Sequence, residues 1–259
     1  MKIRLVVAAA NIGFIFLLLV GIAAQAAEVK VLSVNGMRAV MEDLGPKFER
    51  ATGHKLAFTF GGNLGAVVKR VQGGETADVV LMPPSGFDGF LKDGKVAAGN
   101  VTAVARAGFG VAVRKGATKP DISTPEALKR TLLAAKSIAY ANPVETAAGI
   151  QVVKILDGLG LAEARKSKTV FPKGGRGVGA LVANGEAEIA VHHIQQLIPV
   201  SGIEIIGPLP KDLQVFDVFA AGIMAGAKNV EASKALVNFL RTQDAAIVLK
   251  ANGMEPATP

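Results

Sequence analysis

The stretch that decides the fold runs from Lys55 to Pro84, KLAFTFGGNLGAVVKRVQGGETADVVLMPP. Leu56–Phe60 is an apolar, β-rich run, Gly61-Gly62 is a turn, and Asn63 to about Gln72 has helical periodicity. Gly73-Gly74 ends that helix, and Asp78–Met82 reads as a buried strand. The order predicts one right-handed βαβ unit. Its first turn carries the chemistry. Glycines let backbone come close to a ligand, and the helix that starts directly after them offers unpaired N–H groups and the positive end of its dipole. Ligands of open parallel sheets collect at this carboxyl edge, so the turn is read as one wall of a site for a small anion.

Working outward, Val29–Val34 (VKVLSV) suits a buried strand that ends in Asn35-Gly36. A helix follows with Val40, Leu44 and Phe48 on one face, closing near Gly53. On the other side, Ser85 is expected to cap a short helix over Gly86–Asp93. Strand and helix alternate with short links, the pattern of a parallel α/β sheet. Val101–Arg114 (VTAVARAGFGVAVR) breaks that pattern. It is longer than the usual strand of about 5–6 residues, and Gly108 and Gly110 would let it bend from one sheet into another. Val215–Ala225 (VFDVFAAGIMA) is a second such run. Two crossings flanking an α/β block make a hinge. Residues 27–107 with 222–259 are assigned to one lobe and 108–221 to the other.

Between the crossings, Thr124-Pro125 opens a helix, Ser137–Tyr140 is a strand leading to Asn142-Pro143, and a helix covers about Thr146–Leu159. Thr169–Phe171, Glu188–Val191 and Ile203–Ile206 are strands, Gly175–Asn184 is a helix, and Val230–Ala251 is a helical tail expected to pack on the first lobe.

The chain opens with Lys2 and Arg4, an apolar core over Gly13–Ile22 and the small-x-small site Ala24-Gln25-Ala26, the marks of an export signal cut after Ala26. An uncleaved anchor is the alternative reading. Cleavage leaves 233 residues, Ala27 to Pro259, and lowers the formal charge from +8 to +6. The product is expected in the periplasm. With no cysteine, disulfides, thiolate catalysis and zinc–thiolate sites are excluded. Basic residues are scattered and aromatic ones scarce (one Tyr, no Trp), so no nucleic-acid partner is expected.

Four strand-to-helix turns would meet in the cleft: Val34–Met37 with Asn35 and Gly36, Gly61–Leu64 with Gly62, Asn63 and Leu64, Val144–Ala147 with Glu145 and Thr146, and the strand end at His192. Any one is an ordinary connector; four on one edge make a site. His192 and His193 are adjacent and would point to opposite sides of a strand, so they cannot pair on one metal. No metal or cofactor is expected. The basic turn Lys173–Gly177 lacks phosphate-loop spacing and reads as a solvated turn, with Lys173 or Arg176 reaching an anion from the cleft rim as the alternative; no serine sits in a GxSxG elbow, so no catalytic residue is assigned.

Taken together, VKVLSVNGMRAVMEDLGPKFERATGHKLAFTFGGNLGAVVKRVQGGETADVVLMP, Ala103–Gly116, ANPVETAAGIQVVKILDGLGL and VGALVANGEAEIAVHH resemble the type II periplasmic substrate-binding proteins, most of all the molybdate-binding branch. The resemblance covers nearly all of residues 27–259. It implies two α/β lobes closing on an oxyanion-sized ligand and a monomer delivering it to a membrane ABC permease. This sequence departs from the molybdate pattern: Gly36 stands at a serine position, Asn63-Leu64 at a hydroxyl position, and His192 where tyrosine is common. The ligand is therefore left open between an oxyanion and a small organic acid. A non-enzymatic binding protein is expected; the alternatives are an enzyme on the same scaffold using His192 as base and Glu145 as acid, or the binding subunit of a sensor.

Overall fold

A computed structural model describes residues 26–173 and 177–257; most of the segment expected to be an export signal and part of the basic turn after Lys173 lie outside them. The fold is α/β and two-lobed. In the first lobe β1 (Glu28–Ser33) lies between two parallel neighbours, β2 (Lys55–Phe60) and β3 (Val79–Met82). The βαβ unit is thus real, but β1 is inserted between its two strands. Helix α1 (Arg38–Thr52) buries Val40, Met41, Leu44 and Phe48 and stops at Gly53, whose φ of 77° is left-handed. Helix α2 (Leu64–Gln72) buries only Val67 and Val71. Pro84–Phe87 forms a 3-10 turn and α3 is Asp88–Lys92; Ser85 lies inside the turn and makes no cap bond, contrary to expectation.

The hinge rests on β4 (Val96–Arg114). Its first part, to Gly108, pairs antiparallel with β9 (Phe216–Met224), and β10 (Met254–Pro256) pairs with Ala105–Ala107. From Phe109 onward it pairs instead with β7 (Ile189–His193) and β8 (Ile203–Pro208). Gly108 and Gly110 serve close packing here. A Cβ at Gly110 would sit 2.7 Å from the Gly207 carbonyl oxygen, so β8 can lie against β4 only where β4 lacks a side chain. The return crossing follows β8, and β9 pairs within the first lobe's sheet. Gln214 ties the crossings together: its Oε1 accepts from Phe109 N–H and its Nε2 donates to Phe109 C=O, each at 2.9 Å.

In the second lobe α4 (Pro125–Ala134) is capped by Thr124, β5 is Ile138–Ala139, and α5 (Ala147–Gly158) is capped by Thr146. Helices α6 (Ala162–Lys168) and α8 (Ile194–Leu197) were not anticipated from the sequence; β6 is Thr169–Val170 and α7 is Val178–Ala183. β5, β6 and the N-terminal part of β7 are parallel. Alternation along β4 explains the two cores of this lobe: Phe109, Val111 and Val113 join the cluster on one face, and Ala112 the cluster on the other. The C-terminal tail is two helices, α9 (Val230–Phe239) and α10 (Gln243–Ala251), separated at Thr242, which caps the second. Leu236, Leu240, Val248 and Leu249 from them join the core of the first lobe, as expected.

Candidate functional site

A cavity of about 510 Å³ opens at the carboxyl ends of the strands. All eight residues singled out from the sequence, Asn35, Gly36, Gly62, Asn63, Leu64, Glu145, Thr146 and His192, line it. The loops come from both lobes. Gly65, Pro83, Ala147, Ala148, Gln196 and Phe219 complete much of the wall, and no described lining residue is Lys or Arg.

The first two turns are bonded into one ledge. Asn35 N–H donates to Gly62 C=O at 2.8 Å, and Gly61 N–H donates to Ser33 C=O at 2.8 Å. Gly62 has a φ of 94°, which only glycine adopts without strain. Gly36 lies under the Phe219 ring; an added Cβ would come within 3.3 Å of it. Asn63 is the N-cap of α2, its Oδ1 accepting from Ala66 N–H at 2.9 Å. That oxygen is turned to its own helix. What α2 offers the cleft is backbone: the Leu64 and Gly65 N–H groups find no partner among the described residues.

The facing turn repeats the device. Asn142 C=O accepts from Glu145 N–H at 3.1 Å and Thr146 N–H at 3.0 Å, and Thr146 Oγ1 accepts from Gly149 N–H at 3.0 Å. Thr146 Oγ1 also donates to Asn142 C=O at 3.1 Å, so the hydroxyl is fully engaged. The Ala147 and Ala148 N–H groups are left without partners among the described residues. Gly149 sets the height of this helix start: a Cβ there would lie 2.3 Å from the Ala141 carbonyl oxygen. The glycine in TAAG was the signal for this close approach, and the sequence reading passed over it. Glu145 is exposed on the rim, its carboxylate accepting from Asn142 Nδ2 at 3.0 Å.

His192 forms the floor, at 7% exposure. Burial is the chief reason its pKa is pushed down to about 3, with the neighbouring His193 adding to the shift and the Gln196 amide and Asp217 opposing it. The imidazole is therefore neutral, and its Nδ1 is buried with no partner among the described residues. The expectation that the histidines face opposite sides fails. β7 ends at His193, where the chain turns into α8, and the two rings stack with centroids 5.4 Å apart on the same cavity. His193 Nε2 lies 3.0 Å from an Asp217 oxygen without hydrogen-bond alignment, and its ring packs 4.1 Å from that of Phe109. No group of side chains suited to hold a metal ion occurs among the described residues. The arrangement can accept an anion on backbone dipoles and a neutral ring; the described residues of this wall include no Lys or Arg as counter-ion.

A family profile described as bacterial extracellular solute-binding protein matches residues 29–255. The aconitate isomerase of a Pseudomonas species is 34% identical over 236 residues, 87% of each chain. The molybdate-binding protein ModA of Azotobacter vinelandii is 31% identical over 245 residues, 91% of this chain and 92% of that one. The solved periplasmic molybdate-binding protein of Azotobacter vinelandii has the same fold, with a TM-score of 0.70 at 19% identity over 89% of this chain and 99% of that one. No helix of the described residues is long and apolar enough to cross a membrane. The chain belongs to the bacterial extracellular solute-binding protein family.

Proposed function

We propose that this protein is exported to the periplasm, cut after Ala26, and captures a small organic acid between its lobes for delivery to a membrane ABC permease. The observation that carries this reading is the convergence of unpaired first-turn N–H groups from α2 and α5 on one cavity floored by neutral His192. The lobes are assigned to residues 27–107 with 216–259 and to 108–215, the return moved forward from residue 222 because β9 pairs with β3 and the first part of β4; the protein acts as a monomer without metal or cofactor.

Two features favour a carboxylate over a tetrahedral oxyanion. The hydroxyl hydrogen of Thr146 is spent on Asn142 C=O, which leaves no threonine hydroxyl to donate here, and a dianion with its charge on one small tetrahedral group needs nearly complete pairing at that point. Leu64, Pro83, Ala148 and Phe219 give the cavity apolar walls that suit a carbon skeleton. Binding-induced stabilisation tests this. Carboxylates are expected to raise the melting temperature of residues 27–259 more than molybdate does at equal concentration. Asn63→Asp keeps an equally good cap but sets a negative charge against the anion. It is expected to keep the melting temperature and lose about tenfold or more in affinity by calorimetry. Stronger stabilisation by molybdate would return the oxyanion reading; unchanged affinity in Asn63→Asp would remove the helix-start site.

A second reading is an isomerase, favoured by the relative at 34% identity and by an imidazole, His192, and a carboxylate, Glu145, on one cavity. A base such as His192 would take a proton from the methylene carbon of an unsaturated tricarboxylate. The double bond would move one position, and a proton from Glu145 would return at the far carbon; the reaction balances without a co-reactant. Nuclear magnetic resonance of trans-aconitate with the protein separates the readings: a static spectrum supports capture alone, and accumulation of the cis acid supports isomerisation.

A further inference from the structure

The cleft does not end at His192. A second compartment of about 690 Å³ shares Glu145, Thr146, His192 and Gln196 with the first and continues between Asn142, Phe171 and Lys173. The two halves differ in kind. The first presents helix starts and apolar walls and no described cation; the second brings Lys173, exposed at its outer wall. His192 stands where they meet, more than nine-tenths buried, with Nδ1 unpartnered among the described residues. A buried polar atom without a partner is costly and calls for a group to satisfy it.

We infer that the ligand is an elongated acid with at least two carboxylates. One sits on the first-turn N–H groups of α2 and α5, the middle of the molecule passes His192, and another carboxylate enters the second compartment toward Lys173. This rests on the reading that the cleft binds an organic acid, and it narrows that class to di- and tricarboxylates. A tetrahedral oxyanion or a monocarboxylate fills only the first half. Charge distribution supports the assignment: a single anion on backbone dipoles needs no lysine, whereas a second carboxylate placed beside the Glu145 rim needs a cation on its far side.

Calorimetry on residues 27–259 tests it with crotonate, glutaconate and trans-aconitate as mono-, di- and tricarboxylate probes. The di- and tricarboxylate are expected to bind at least about tenfold more tightly than crotonate, the worth of one added charge-assisted hydrogen bond. Lys173→Gln should remove that advantage, Lys173→Arg should keep most of it, and neither should change crotonate binding by more than about twofold. Lys173 is exposed, so the variants are expected to melt with the parent. Equal affinity for all three acids, or no effect of Lys173→Gln, would overturn the second subsite while leaving the first in place. Failure of every acid to bind the parent protein would overturn both.

Discussion

Among single residues, His192 has the clearest measurable consequence. In the folded chain its pKa lies at about 3, against an ordinary value of 6.5. Between those limits the unfolded chain binds the extra proton, so the stability tied to the neutral ring is complete above pH 6.5 and drains away as the pH falls toward 3. At pH 5 the loss is on the order of 2 kcal/mol, which for a protein of this size is about 4–8 °C in melting temperature. His192→Gln, which cannot titrate, is expected to show a fall between pH 7 and pH 5 smaller by about that amount. Equal falls in both proteins would contradict the buried, neutral imidazole. This residue was legible in the sequence as the end of a strand at the cleft. Its neutrality was not, because burial is created by residues distant in sequence, among them Gly110, its partner across β4 and β7. Asn63 and Thr146 were legible as residues at helix starts, yet their side chains turn inward as caps. Only three-dimensional hydrogen bonding shows that the backbone beside them faces the cavity.

Among elements, β4 carries both sheets, and its change of partners at Gly108–Phe109 is the place where the lobes join. The Gln214 amide clasps that point with two hydrogen bonds to Phe109. Gln214→Ala removes both and leaves Phe109 N–H to find another partner, while Phe109 C=O keeps the Leu209 N–H at 3.1 Å. It is expected to cost about 1–3 kcal/mol and to lower the melting temperature by roughly 2–10 °C, read by thermal denaturation at pH 7. A variant that melts with the parent would mean that the clasp is replaceable by water. The length of the strand was visible in Val101–Arg114 as an apolar run too long for one sheet. The clasp was not visible, because Gln214 and Phe109 are 105 positions apart. The short helices α6 and α8 were also missed: α6 buries no residue and α8 has four residues, so neither leaves a strong apolar period.

For the whole molecule, separate apolar clusters in the two lobes leave the cleft as the boundary between independently packed bodies. Ligand contacts from both bodies favour closure, since the closed state alone satisfies both helix starts at once. Small-angle scattering of residues 27–259 is expected to show a smaller radius of gyration on saturation with trans-aconitate, and no change with sodium chloride at matched ionic strength. Identical radii would argue for a cleft that is already closed.

What the sequence determined by itself is the alternation of strands and helices, the long hinge strand and the glycine- and asparagine-marked turns. These follow from local rules: apolar period, left-handed glycine and N-cap chemistry act within a few residues. The tertiary structure alone decided the insertion of β1 between the strands of the βαβ unit, the shared face of His192 and His193, and the second compartment that opens beyond them. Each depends on which distant surfaces are buried together, and burial is a property of the packed chain.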